Sequence, residues 1–332
     1  MKTSVILSAA LATAFCTAAL SATDSMIGNP EGNVRIIEQG QRPVVIHPTV
    51  ENMEMQRKAA HNSARPRKST NLTYHGGVGG IGVETSPKVY LVFFGSQWTN
   101  NDPSGEASRE QSFLSAVGGS SWLNSVTQYC QGVSSGTTFC NGAGQAAGNP
   151  SGILQGVWFD SASAAPSSPT QSQLAAEAVK AAAHFGNTAA GSNNSTQYVI
   201  ATSTGNNMNG FGTQWCAWHS STSSSYGNIA YTNLPYMTDA GASCGANFNG
   251  LGANAGQTIV EGHELAETIT DQFPNGGWLD GSGAENGDKC AWISSGQGAS
   301  ANVNFAGGGS FPVQSLWSNA FNSNAGGCVL SY

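Results

Sequence analysis

Val260-Glu261-Gly262-His263-Glu264-Leu265-Ala266-Glu267-Thr268-Ile269-Thr270-Asp271 is the stretch from which the rest of the 332-residue chain can be read. As an α-helix it sets His263 and Glu267 one turn apart on one face, where an imidazole nitrogen and a carboxylate oxygen can grip one ion, with Glu264 leaning over the same side. The standard form of such a helix is H-E-x-x-H, in which two histidines bind zinc and the glutamate is the general base. Here Glu267 stands in place of the second histidine. Carboxylate oxygen is also a zinc ligand, so the substitution keeps the chemistry while making the site more anionic. The competing reading is an ordinary helix with acidic residues on its solvated face.

A catalytic zinc takes three protein ligands and keeps one position open, so a third donor is needed beyond the helix. Asp271 lies eight residues past His263, ~12 Å along a straight helix axis, and suits a cap better than a ligand. Pro274 and the Asn275-Gly276-Gly277 turn let the chain double back, bringing Asp280, Glu285 and Asp288 toward the helix. Glu285 is the first choice for the third ligand. His219 and His75 are the candidates for an electrophilic helper.

His263-Glu264-Leu265, Thr270-Asp271, then Ser282-Gly283-Ala284 with Glu285 close behind, resembles the active-site region of thermolysin-type metallopeptidases. That resemblance covers about residues 260–290 and implies that His263 and Glu267 occupy the helix-ligand positions, Glu264 that of the base and Glu285 that of the distal glutamate. Two departures stand out: Glu267 replaces a histidine, and Glu285 arrives slightly early. A second, less specific resemblance spans more of the chain. Leu72-Thr73-Tyr74-His75-Gly76, the Val89-to-Gly95 run, the Cys216-Ala217-Trp218-His219 box and the cysteine-containing tail look like the secreted phosphate-induced (EXORDIUM-like) proteins, which implies an extracellular protein without an established reaction.

Met1-Lys2-Thr3 followed by an apolar run to Leu20 and small residues at Ser21 and Ala22 reads as a signal peptide over 1–22, so the mature chain is expected to be secreted and free of a membrane anchor. Residues 23–68 hold Arg35, Arg42, Arg57, Lys58, Arg65, Arg67 and Lys68. The remainder, 69–332, holds four basic against fourteen acidic residues, a formal charge of −10. A phosphate binder concentrates basic residues, so nucleic acid is excluded as a partner. The asymmetry suits a basic pro-segment against an acidic catalytic domain, with Ala64-Arg65-Pro66-Arg67-Lys68-Ser69 as its cut site; a plain linker is the other reading.

Six cysteines remain after export: Cys130, Cys140, Cys216, Cys244, Cys290 and Cys328. With no C-x-x-C pair they read as disulfides, and pairing chain neighbours closes the shortest loops. Strand-like runs at Lys88–Gly95, Ile153–Phe159, Tyr198–Ala201, Trp215–His219 and Ile229–Tyr231 alternate with helical spacing at 108–117, 121–129 and 171–185. The fold class expected is α/β (α+β): a zincin-like mixed sheet with an active-site helix and an irregular, disulfide-pinned C-terminal lobe from about residue 272. Together these features predict a monomeric, secreted zinc endopeptidase acting on protein or peptide substrates. The alternative is a non-catalytic extracellular protein in which Asp280, Glu285 and Asp288 bind calcium. No G-x-S-x-G elbow supports a serine hydrolase.

Overall fold

Along Lys88–Phe94 every second side chain belongs to a different core: Val89, Leu91 and Phe93 to one face, Val92 and Phe94 to the other. A strand apolar on both sides must be covered on both sides, and this one is central to a mixed sheet. The computed structural model describes residues 33–62 and 71–332. The expected signal peptide, the rest of 23–32 and the expected cut site at 64–69 lie outside the described residues.

In chain order the first elements are β1 (Val34–Arg35), β2 (Val44–Pro48) and α1 (Val50–Asn62). After them come β3 (Thr73–Tyr74), β4 (Lys88–Phe94), α2 (Glu106–Val117), the ribbon β5 (Cys130–Gln131) with β6 (Gln145–Ala146), β7 (Leu154–Asp160) and α3 (Gln171–His184). Then follow β8 (Thr196–Thr202), β9 (Trp215–Ser224), β10 (Gly227–Leu234) and α4 (Ala255–Thr270). Among the described residues seven strands form one sheet in the order β1-β2-β9-β10-β8-β4-β7. Its β10, β8, β4 and β7 run parallel, while β9 and the β1–β2 hairpin are antiparallel additions.

The coarse expectation of a mixed α/β fold holds, with three differences of detail. Residues 33–62 are folded onto the body: β2 lies beside β9, with Val45 opposite His219 and His47 opposite Ala217. The two short extended pieces at 215–219 and 229–231 are halves of one long hairpin. Its Ser/Thr-rich tip hides it from an apolar pattern, and Gly227 at φ 95° follows the two-residue turn that L side chains rarely accommodate. The helical spacing at 121–129 yields only a 3₁₀ turn, Leu123–Gln128, because Gly118-Gly119 leave too few residues for an α-helix.

Helix α3 covers one sheet face; α2, α4 and the C-terminal region cover the other. All sixteen residues of α4 are buried, including its charged ones. Such a helix is enclosed all round, and its neighbours must therefore satisfy its polar groups. Beyond it the chain makes only short ribbons: β11 (Trp278–Leu279) on β3, β12 (Ala301–Asn304) on β13 (Ser310–Val313), and β14 (Leu316–Ser318) on β15 (Gly327–Val329). The disulfides are Cys130–Cys140, Cys216–Cys244 and Cys290–Cys328, the pairing of chain neighbours. Among the described residues no helix is long and apolar enough to cross a membrane.

Glu84 ties α4 to the sheet. Its N–H donates to Ile269 O at 2.8 Å, and its Oε2 accepts from Gln197 Nε2 at 2.9 Å. Burial raises this carboxyl to about 8 against the opposing Gln197 bond. Below about pH 4.5 both folded and unfolded chains hold the proton; between there and about pH 8 only the folded chain does, so rising pH costs stability until the folded group also ionises. Glu84→Gln is therefore expected to raise the melting midpoint by several degrees at pH 8 and little at pH 4 in thermal scans, at roughly 2–4 °C per kcal/mol. Equal shifts at both pH values would refute the assignment.

Candidate metal centre

Period-two alternation decides which strand residues reach α4. In β9, Trp218 packs on the α3 side with Tyr231, leaving Ala217 and His219 on the α4 side. In β2, Val44 and Ile46 join the α3 core, so Val45 and His47 also face α4. The helix presents His263, Glu264 and Glu267, and the returning chain presents Glu285 and Asp288. All of these are buried, none more than 5% exposed.

His263 Nε2 lies 3.1 Å from Glu267 Oε1 and 3.7 Å from Asp288 Oδ1. Glu267 Oε1 also accepts the Asp288 backbone N–H at 2.8 Å, which fixes the returning chain against the helix. Among the described residues three groups converge tightly enough to hold an ion: His263, Glu267 and Asp288; His219, Glu264 and Glu267; and His47, His263 and Glu264. They share members and form one continuous site.

The tautomer of His263 follows from its neighbour. Gln314 Nε2 donates to Gly287 O at 2.8 Å and to Ser315 O at 3.2 Å, so its Oε1, 3.2 Å from His263 Nδ1, must be the acceptor. Nδ1 carries the proton, and the Nε2 lone pair points to Glu267 and Asp288. Around this point several buried atoms lack a hydrogen-bond partner: both ring nitrogens of His47, Nε2 of His219 and His263, Oε1 of Glu264, Oε2 of Glu267 and both oxygens of Glu285. Buried polar atoms left unpaired cost about 1–3 kcal/mol each, and so many in one place fit a bound cation. The mixed imidazole and carboxylate donors can chelate a divalent metal ion.

The electrostatics agree. Burial, then repulsion from Glu267, raises Asp288 to about 7; burial raises Glu264 to about 8 despite its bond to His219, and drives Glu285 well up. Burial pulls down His219 and His263, but adjoining carboxylates, Glu264 for the first and Glu267 for the second, outweigh it and raise both. The site is rich in anionic groups and short of positive charge, a deficit that a dication relieves.

His263, Glu264, Glu267 and His219 meet, with His219 Nδ1 3.1 Å from Glu264 Oε2. Glu285 is nearby but does not close with His263 and Glu267; its Oε1 is 3.5 Å from His219 Nε2. Asp288 is the acid that closes with His263 and Glu267. His75 is exposed and joins none of the groups. Asp271 caps α4, accepting N–H bonds from Asn275, Gly276 and Gly277 at 2.6–3.0 Å. Asp280 pairs with Lys289 at 2.8 Å and accepts from Ser282 and Ala284, so it is already committed within its own loop. Sequence reasoning missed His47 and Gln314, which lie in no motif. It also missed Gly287, between Glu285 and Asp288, where a Cβ would sit 2.7 Å from His263 Nδ1 and 2.9 Å from Glu267 Oε1. Gly287→Ala is expected to weaken metal binding about 10–100-fold, the usual scale for disturbing groups behind the ligands, as read by titration calorimetry; unchanged affinity would show that the loop yields freely.

No family model, no curated protein and no solved structure matches this chain. The chain is a mixed α/β protein whose buried histidine and carboxylate clusters can coordinate a metal ion.

Proposed function

We propose that this chain is a secreted, zinc-dependent endopeptidase with a zincin-like sheet and helix, related in its site chemistry to thermolysin-type enzymes. Residues 1–22 would be its signal peptide, 23–68 its pro-segment and 69–332 its catalytic domain. The observation that carries the reading is the convergence of His263, Glu267 and Asp288 around unpaired buried atoms, with Glu264 on the next helical position. Asp288 is assigned the third ligand position in preference to Glu285.

A divalent cation held by these three groups would supply Lewis acidity toward a peptide carbonyl and would acidify water. The chain's own residues do the rest. Glu264 takes a proton from the attacking water and passes it to the leaving amine, a role for which a carboxylate poised near neutrality is suited. His219, bonded to Glu264 Oε2, orients that carboxylate and leaves Oε1 free for the proton. Glu285 faces the far nitrogen of His219 and favours the imidazole orientation that keeps Nδ1 on Glu264.

Complete burial of the ligand set favours a second reading, a non-catalytic extracellular protein whose metal serves stability. Elemental analysis of the purified chain, combined with cleavage of denatured casein with and without chelator, separates the two. Bound zinc with chelator-sensitive cleavage supports the peptidase. A metal whose removal lowers the melting midpoint, with no cleavage under any condition, supports the structural site.

A further inference from the structure

The chain carries three Asn-X-Ser/Thr triplets: Asn71-Leu72-Thr73, and the overlapping pair Asn193-Asn194-Ser195 and Asn194-Ser195-Thr196. In an exported protein such a triplet is an acceptor for N-linked carbohydrate on a surface loop. The sugar is added to an extended chain on its way out of the cell, so the fold then decides which amide can carry a bulky hydrophilic group. It separates these three.

Asn193 is 1% exposed and its side chain is fully committed. Its Nδ2 donates to Asn187 O at 3.0 Å and to Tyr226 O at 3.2 Å, and its Oδ1 accepts from the Tyr198 hydroxyl at 2.8 Å. A sugar in place of one amide proton would leave a carbonyl unpaired, at about 1–3 kcal/mol, and would have to part the packing around Tyr198. Asn71 is half-buried: its Nδ2 donates to Asn324 O at 2.9 Å, and its Oδ1 is enclosed against Gly326. Asn194 is exposed, and it is the backbone N–H of this residue that closes the local turn, onto Gly191 O at 3.1 Å.

The turn is fixed from both sides of Asn194. Gln272 Nε2 donates to Asn193 O at 2.9 Å and to Thr196 O at 3.2 Å, and its Oε1 accepts the Ser195 N–H at 3.1 Å. Ser195 Oγ accepts the Thr85 N–H at 3.0 Å. Asn194 therefore stands between two anchored neighbours, at the end of the loop of residues 186–194 that joins α3 to β8. That loop is small and polar in composition and largely exposed, the kind of segment at which proteases nick a folded chain.

We propose that Asn194 is an N-glycosylation site whose oligosaccharide shields the 186–194 loop from proteolysis. Attachment joins Asn194 Nδ2 to the anomeric carbon of the first sugar. It breaks the bond from that carbon to the diphosphate of a lipid-linked oligosaccharide donor, releases the lipid diphosphate and removes one amide proton. The inference rests on the proposed export of the chain and is independent of the metal centre.

The test produces the full chain in a eukaryotic secretory host, once with its own amino terminus and once behind the host's export signal. Secreted protein is treated with peptide N-glycosidase in heavy-oxygen water, which converts each glycosylated asparagine to a labelled aspartate, and is mapped by mass spectrometry. The label is expected at Asn194 and not at Asn193. Asn194→Gln keeps the Asn193 triplet and is expected to lose all label from this loop. Failure of the native amino terminus to bring the chain into the medium would remove the export reading and the inference with it. Unlabelled Asn194 in protein exported behind the host's signal would overturn the site itself, whatever happens at Asn71. Elastase, which cuts after small residues such as Ala189 and Ala190, is expected to nick the loop several-fold faster in Asn194→Gln than in glycosylated wild type. Equal rates would overturn the shielding and leave the attachment standing.

Discussion

Replacing Glu264 with Gln is expected to lower peptide hydrolysis by about 10²–10⁴-fold, the range that a positioned acid–base group supplies, while leaving metal content unchanged. Glutamine matches the shape of the side chain and can still meet His219 across the 3.1 Å contact, but it accepts no proton. The measurement is the initial rate on denatured casein, with zinc content determined on the same sample. Because Glu264 lies outside the His263, Glu267 and Asp288 group, a loss of metal in this variant would reassign it from base to ligand. An unaltered rate would remove it from the chemistry altogether.

Glu267→Ala is expected to act one step earlier, on the metal. Four-ligand zinc sites carry roughly 10–16 kcal/mol, a few kcal/mol per ligand, so losing one should weaken binding on the order of 10²–10³-fold in competition with a chromophoric chelator. The loss would be compounded because Glu267 Oε1 also receives the Asp288 backbone N–H, which would be left buried and unpaired. The same titration decides the third ligand. Asp288→Asn should weaken binding nearly as much as Glu267→Ala, whereas Glu285→Gln should stay within about tenfold of wild type, as for a group behind the ligands. The reverse order would return Glu285 to the coordination sphere.

Much of this site is legible in the sequence because a helix converts spacing into geometry. His263, Glu264 and Glu267 lie within five residues, and a helix leaves their relative placement little freedom. The return of an acidic residue is legible as well, since Pro274 and the glycine turn force a reversal. Which acid completes the group is not. Glu285 and Asp288 are three residues apart, and the choice depends on a single 3₁₀ turn, Asp288–Cys290, and on a backbone bond from Asp288 to Glu267. His47 is out of reach of any local pattern: 216 residues separate it from His263, and only the order of strands at one sheet edge brings them together. The central strands were legible from branched and aromatic runs, while the Ser/Thr-rich half of β9 was not, because it is held by its partners and not by its own apolar content.

The disulfides have a consequence of their own for how such a chain matures. Each joins consecutive cysteines, across 10, 28 and 38 residues, and no bridge straddles another. A polypeptide emerging from its amino end can therefore close each bridge as soon as its second cysteine appears, with the cysteine just before it, without waiting for a more distant partner. Since the loops are neither nested nor interlocked, a backbone cut between 141 and 215, or between 245 and 289, leaves two pieces with no covalent tie, and only packing keeps them together.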